Sequence, residues 1–169
     1  RFLQVATGGY DTHSEQGGSE TDGRHYEILS ALGDSLNLFY NDCADMGVAD
    51  KLCIVVWSEF GRRVIQNDGG TDHGTQYPVF VLGGGVQGGV YGRHPNINES
   101  ALSDDGNTVY SQDPANPFRS TDMRDIYGTI LKHWLGMPHG SILGNVLALD
   151  SGDPTERWTT ENFDMGFLV

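Results

Sequence analysis

The sequence predicts a mixed α/β fold in which helices flank a sheet. Apolar runs of strand length alternate with segments whose apolar residues recur at helical spacing. The 169 residues can form one domain with a sizeable core, and the 24 glycines are more typical of a loop-rich α/β or α+β protein than of a helical bundle. We therefore expect a single domain that extends over residues 1–169.

A strand, a helix and a second strand are predicted in the amino-terminal half. Residues 2–7 form a short apolar run that ends at a Gly-Gly turn. Apolar residues recur on one helical face over 26–46, and Gly47 is the expected stop. A continuous apolar run within 51–57 is typical of a strand buried on both faces of a parallel sheet. This order implies a right-handed crossover, so the two strands should be parallel.

Three shorter features are expected in the middle of the chain. Residues 78–82 predict a further strand that stops at three consecutive glycines, and 86–91 can form one arm of a hairpin. Residues 95–118 are rich in Asn, Asp, Ser and Pro, which predicts a long surface excursion that is either functional or poorly ordered.

A second helix is predicted over 122–135. Ser120 or Thr121 can cap its amino terminus, and Gly136 followed by Pro138 should end it. The remaining tail, which contains three large aromatic side chains, is expected to be irregular and to pack on the surface of the domain.

Charge and composition restrict the class of partner. The formal net charge of −13 argues against nucleic acid, because no basic stripe can neutralise phosphates. No stretch approaches the roughly 20 apolar residues of a membrane span. The chain begins without methionine inside a strand-like run, which suggests a processed or partial chain. Cys43 and Cys53 can form a disulfide or remain as two buried thiols.

Two segments about sixty residues apart each place aspartate beside histidine among glycines. The first contains Asp11 and His13, and the second contains Asp72 and His73. Both adjoin predicted strands, and open α/β sheets bind ligands beyond their strand ends. Carboxylate and imidazole are ligands of zinc, manganese and iron. Taken singly, Asp11 can be a helix cap or an Asx-turn residue, and His13 can be a surface loop histidine. Their joint occurrence favours a metal site.

Between these segments, residues 58–63 read SEFGRR. Glu59 follows four apolar residues, so we expect it to be partly buried, and a metal ion or an arginine would then offset the cost of its charge. A purely structural Glu–Arg ion pair is the alternative. Arg62 and Arg63 also suit phosphate or sulfate, because a guanidinium matches the geometry of these oxyanions. His94 is a weaker candidate, since a histidine in a Gly/Pro turn is usually a surface residue.

Several motifs together resemble domain-of-unknown-function family 1501. They are GGYDTH (8–13), VVWSEFGRR (55–63), GTDHGT (70–75), VLGGGV (81–86) and GVYGRHP (89–95). Residues 121–127 with WLG (134–136) also resemble the closing helix of that family. Its members are similar to proteins of the alkaline phosphatase and sulfatase superfamily that are exported with a twin-arginine signal.

The resemblance implies an alkaline-phosphatase/sulfatase-like mixed sheet flanked by helices, of which this chain is the C-terminal part. It also implies that Asp11, His13 and His73 are metal ligands, with Asp72 beside them. Glu59 would occupy the place where relatives carry an Asp-His pair. Because Glu59-Phe60 replaces that pair, the resemblance does not extend to a second metal. The nucleophile and another metal aspartate lie in an amino-terminal portion that this sequence lacks, so turnover would require that portion.

These observations predict an exported, periplasmic or extracellular, metal-dependent hydrolase of phosphate or sulfate esters. Asp11, His13, Asp72 and His73 would hold a divalent metal, zinc or manganese rather than calcium. Glu59 would ligate or act as a base, and Arg62 would orient the oxyanion. The expected partners are a small anionic ester and the missing amino-terminal portion. The alternative is a non-catalytic extracellular module that binds a protein partner, and a weaker one is a purely structural metal site.

Overall fold

The computed structural model describes residues 2–17, 21–92, 121–146 and 163–168. Helices and two small antiparallel sheets give a mixed α/β protein. The described residues form two compact units. The first contains residues 2–17, 21–49 and 57–79, and the second contains 50–56, 80–92, 121–146 and 163–168. The predicted excursion at 95–118 and the tail residue Trp158 lie outside the described residues.

The first unit contains the long helix α1, Arg24–Asp45, which confirms the helix predicted over 26–46. Its end follows the Schellman pattern. The N–H of Gly47 donates to the carbonyl of Ala44 at 2.9 Å, and that of Val48 donates to the carbonyl of Cys43 at 2.9 Å. This motif needs a left-handed residue, and Gly47 has a φ of +69°. The expected glycine stop is therefore confirmed.

A hairpin that was not predicted forms the sheet of this unit. Strand β2, Gly61–Asn67, follows strand β1 of the second unit (Ile54–Val56) along the chain and pairs antiparallel with β3, Gly70–Gly74. The connecting residues Asp68 and Gly69 have φ values of 28° and 87°, the positive sign that a type I′ turn requires at both positions. The Asp-Gly dipeptide is a known hairpin signal, and it identifies this turn.

The strand predicted over 2–7 is wrong. Phe2, Leu3 and Val5 are 86%, 86% and 87% exposed, and none of the described strands pairs with this segment. An apolar run forms a strand only where a neighbouring strand supplies hydrogen bonds. Because residues 2–7 have no such partner among the described strands, the predicted parallel pairing with 51–57 is wrong as well.

The sheet of the second unit confirms the strands predicted at 51–57 and 78–82, but in shorter form. Strand β1 pairs antiparallel with β4, Phe80–Leu82, with Ile54 opposite Leu82. Both strands are only partly buried, so the expected strand with two covered faces is wrong. The arm predicted at 86–91 is reduced to an isolated bridge between Val86 and Leu168.

The second predicted helix is confirmed as α2, Met123–Thr129, which continues as the π-helical turn Ile130–Trp134. The cap is Asp122, rather than Ser120 or Thr121. Its carboxylate accepts a hydrogen bond from the Arg124 N–H at 2.7 Å, which satisfies one of the free donors at the helix start.

The tail contributes to the core of the second unit, which corrects the expected surface position. A further helix, α3 at His139–Ser141, continues as the π-helical turn Ile142–Val146. Ile142, Phe163 and Phe167 are buried. Gly128 on α2 lies so close to the Phe163 ring that a Cβ there would collide with it. Phe163 of this tail thus packs against α2, and the Phe167 ring contacts Tyr91 edge-on.

Both cysteines are free thiols, as in the second of the two alternatives left open by the sequence, but only Cys43 is buried and Cys53 is partly exposed. Burial raises the pKa of the Cys53 thiol, so it is protonated at neutral pH. No helix within the described ranges is both long and apolar enough to cross a membrane.

Candidate metal centre

Backbone hydrogen bonds fasten the segment that follows residue 10 to the β2–β3 hairpin. The N–H of Thr71 donates to the Thr12 carbonyl at 3.3 Å, and that of Gln16 donates to the Gly69 carbonyl at 3.0 Å. Gly70 is buried against the backbone of Thr12 and His13, where a Cβ would not fit. These contacts hold the two predicted Asp/His segments side by side.

Three side chains from the two segments converge on one point. Asp11 Oδ1 lies 3.1 Å from His13 Nε2 and 3.0 Å from His73 Nε2. The ligand atoms of all three residues lie within 4.8 Å of one another. Asp11 and His13 both direct their side chains to this point, whereas the side chain of the intervening Thr12 is buried.

The distances from the carboxylate oxygen to the two imidazole nitrogens are compatible with a metal ion. With zinc about 2.0–2.1 Å from each ligand, a tetrahedral arrangement separates neighbouring ligand atoms by about 3.3 Å. The observed O···N distances of 3.0 and 3.1 Å are close to that value. The three side chains are 48–51% exposed, so water or a substrate can reach the remaining coordination positions.

Arg62 on β2 holds the Asp11 carboxylate. Its Nη1 donates to Asp11 Oδ1 at 2.5 Å, its Nε donates to Thr71 Oγ1 at 2.9 Å, and its Nη2 donates to the Thr71 carbonyl. The bond from Arg62, followed by one from His73, holds the pKa of Asp11 below its usual range. The carboxylate is therefore ionised at neutral pH, as a metal ligand must be.

A buried polar chain lies beneath Arg62. Thr12 and Thr71 are buried, and Gln16 Oε1 accepts hydrogen bonds from both hydroxyls, at 3.1 and 2.9 Å. Sequence reasoning missed these three residues. The signal that could have found Thr71 is its position beside Asp72 in β3, where strand alternation turns it inward.

Asp72 lies on the opposite edge of the His13 ring from Asp11. Its Oδ1 is 3.4 Å from His13 Nδ1 and accepts a hydrogen bond from Asn67 Nδ2 at 2.8 Å. The bond from Asn67 is the main cause of the lowered pKa of Asp72, and His13 and the charge of Arg63 contribute. Asp72 thus contacts one of the converging histidines and does not reach the point of convergence.

Phe60 is a further residue that sequence reasoning missed. Its ring stacks on His73, with centroids 3.7 Å apart and planes inclined by 15°. The stacking restricts rotation of the imidazole and keeps Nε2 directed at Asp11. Phe60 belongs to the 58–63 motif, and nothing in the local sequence indicates that its ring contacts a histidine thirteen residues away.

Glu59 is exposed, so the expectation that it is partly buried is wrong. Strand β1 ends at Val56 and Trp57 is already 51% exposed, so Glu59 does not follow a buried strand end directly. Glu59 is not among the three converging side chains. The other weaker candidate, His94, lies outside the described residues.

Comparison with known proteins identifies a family. The chain has no significant match among curated proteins or among solved structures. The family described as "Protein of unknown function (DUF1501)" matches residues 1–152, which include every residue of the centre. Because this match covers most of the sequence, the chain belongs to the DUF1501 family.

Proposed function

We propose that the protein is a metal-dependent hydrolase of phosphate or sulfate esters, whose metal is held by Asp11, His13 and His73. The convergence of one carboxylate oxygen and two imidazole nitrogens within 4.8 Å carries this proposal. Three protein ligands with open positions are typical of catalytic zinc sites. Two nitrogen ligands favour zinc or manganese over calcium, which prefers oxygen.

A bound metal would act as a Lewis acid toward an ester oxygen and neutralise the charge that develops there. The residues of the chain bind and orient that metal. Asp11 offers an ionised oxygen, and the two histidines offer Nε2 when those atoms are unprotonated. Phe60 restricts the ring of His73. The role of Glu59 as a base stays a prediction from its position in the motif.

The resemblance to the alkaline phosphatase and sulfatase superfamily supports three further parts of the proposal. The chain would form the carboxyl-terminal part of a sulfatase-like mixed sheet flanked by helices. An amino-terminal portion would supply the nucleophile, and the whole protein would be exported to the periplasm or the extracellular space. The net charge of −13 repels an anionic ester, so the metal would have to neutralise the charge of the substrate at the site.

The proposal is tested by the hydrolysis of an aryl phosphate and an aryl sulfate by the full-length protein. Treatment with a chelator or His73→Ala should abolish turnover, because either removes the metal. His133→Ala, a histidine of the second unit, is the matched control and should retain activity. Undiminished hydrolysis after chelation or in His73→Ala would contradict the proposal.

A non-catalytic extracellular binding module is the second candidate function. The observation that favours it is the use of the Arg62 guanidinium, the expected oxyanion ligand, by Asp11 and Thr71. Metal analysis of the purified protein separates the two. Stoichiometric zinc or manganese supports the enzyme, whereas no metal, or calcium alone, supports the module.

A further inference from the structure

We infer that Arg62 is a positioning residue of the metal site, which orients Asp11 toward the metal and does not bind the oxyanion of a substrate. The inference rests on the proposed metal site and assigns a different role from the one that the sequence suggested.

The guanidinium is fixed by bonds in three directions. Nε and Nη2 donate to the hydroxyl and the carbonyl of Thr71, which belongs to β3, while Nη1 donates to Asp11. The Thr71 hydroxyl in turn donates to Gln16. The Arg62 side chain is only 17% exposed. Because a guanidinium is planar and rigid, two bonds to Thr71 determine where the third donor points.

Asp11 needs such support because its own segment is irregular. Residues 2–11 contain neither a helix nor a strand, and the Asp11 side chain is about half exposed. A carboxylate on this backbone can rotate between several staggered positions. The bond from Arg62 selects one of them, in which Oδ1 also faces both histidines.

The positive charge of Arg62 makes the expected change in metal affinity informative. A cation beside a metal ion repels it, so electrostatics alone predicts that removing Arg62 tightens metal binding. A residue that orients a ligand has the opposite effect, because its loss leaves the ligand mobile. Removing such an outer partner typically weakens metal affinity about 10–100-fold. Metal affinity therefore separates the positioning role from a mere neighbouring charge.

The experiment measures zinc affinity of the purified protein by competition with a chromophoric chelator. Arg62→Gln should bind zinc about 10–100-fold more weakly than the unaltered protein. Arg62→Lys should fall between them, since one ammonium can reach Asp11 but cannot also make both bonds to Thr71. Thr71→Val, which removes only the hydroxyl, should weaken binding less than Arg62→Gln does.

Arg24→Gln is the charge control, because it removes the same charge from an exposed residue of the same unit without removing a bond to Asp11. Its zinc affinity should be unchanged or tighter. The visible spectrum of bound cobalt gives a second readout, which should change in Arg62→Gln and be retained in Arg24→Gln. Both readouts report on the ligands of the metal and do not require turnover.

Equal or tighter zinc binding by Arg62→Gln would overturn the positioning role while leaving the metal site intact. Failure of the unaltered protein to bind zinc or manganese would instead refute the proposed function, and the inference with it. Thermal unfolding shows whether each variant is folded. If Arg62→Gln does not fold, the order of affinities among the unaltered protein, Thr71→Val and Arg62→Lys decides the question, and equal affinities overturn the inference.

Discussion

His13 presents its two ring nitrogens to two different carboxylates. Nε2 faces Asp11 at 3.1 Å, and Nδ1 faces Asp72 at 3.4 Å. Metal-binding histidines commonly donate their second N–H to a carboxylate, which fixes the tautomer and the orientation of the ring. Asp72 is itself fixed by Asn67. This arrangement favours Asp72 as a support for His13, although the sequence suggested a direct ligand.

Removing a residue that only supports a ligand should weaken zinc binding less than removing the ligand itself. Asp72→Asn should weaken zinc binding about 10–100-fold, because the ring of His13 loses a charged partner but keeps its metal-facing nitrogen. Asp11→Asn should abolish measurable binding, since the asparagine side chain offers no ionised oxygen. Competition titrations with a chelator measure both effects.

Asp68→Asn is the control for Asp72→Asn, because it removes an equal charge from an exposed position of the same hairpin. Its zinc affinity should match that of the unaltered protein. Loss of zinc binding in Asp72→Asn as complete as that in Asp11→Asn would show that Asp72 is a ligand after all.

At the scale of elements, sequence patterns predicted the helices better than the sheet. Helix α1 has a long periodic face and a glycine stop, so local information was sufficient. The segment 2–7 has the apolar residues of a strand, but strand formation depends on a partner that local sequence does not specify. The β2–β3 hairpin was missed because its apolar residues Val64 and Ile65 are exposed and its ends are glycine-rich.

The turn of this hairpin supplies a prediction about stability. Gly69 has a φ of +87°, which costs an L-residue about 1–2 kcal/mol. Gly69→Ala should lower the free energy of unfolding by about this amount. It should also weaken zinc binding, because Gly69 accepts the bond from Gln16 that fastens the first ligand segment to the hairpin. Urea denaturation and zinc titration measure the two effects.

Gly33→Ala provides a comparison with the opposite sign. Gly33 lies inside α1, and a Cβ there would meet no atom within 4 Å apart from the adjoining residues and backbone of its own helix. Alanine in a helix interior is about 0.5–1 kcal/mol more favourable than glycine, so this variant should be more stable. A stabilised Gly69→Ala would contradict the assigned turn geometry.

At the scale of the whole molecule, the sequence predicted which residue types form the site but not how each one acts. Asp11, His13 and His73 were candidates because two segments that place Asp beside His both adjoin predicted strands, and the structure brings these three side chains together. The roles of Arg62 and Phe60 depend on their contacts with Thr71 and His73 of β3, and these exist only once the register of β2 and β3 is set. Spacing along the chain does not contain that information.

Because the molecule divides into two units, we expect zinc to affect their stability differently. All three proposed ligands belong to the first unit, so zinc should stabilise that unit directly. At a free zinc concentration of a hundred times Kd, the expected gain is about 2.7 kcal/mol in the free energy of unfolding. Amide hydrogen exchange locates the gain. The N–H groups of Gln16 and Thr71, which join the ligand segment to the hairpin, should exchange more slowly with zinc.

The amides of β1 and β4 in the second unit serve as the internal reference, and their exchange should change least. His73→Ala should remove the slowing at Gln16 and Thr71 without altering exchange in the second unit. Uniform slowing across both units would mean that zinc binds elsewhere, or that the two units unfold as one. The His73→Ala variant distinguishes these two explanations, because slowing at a different zinc site would persist in it.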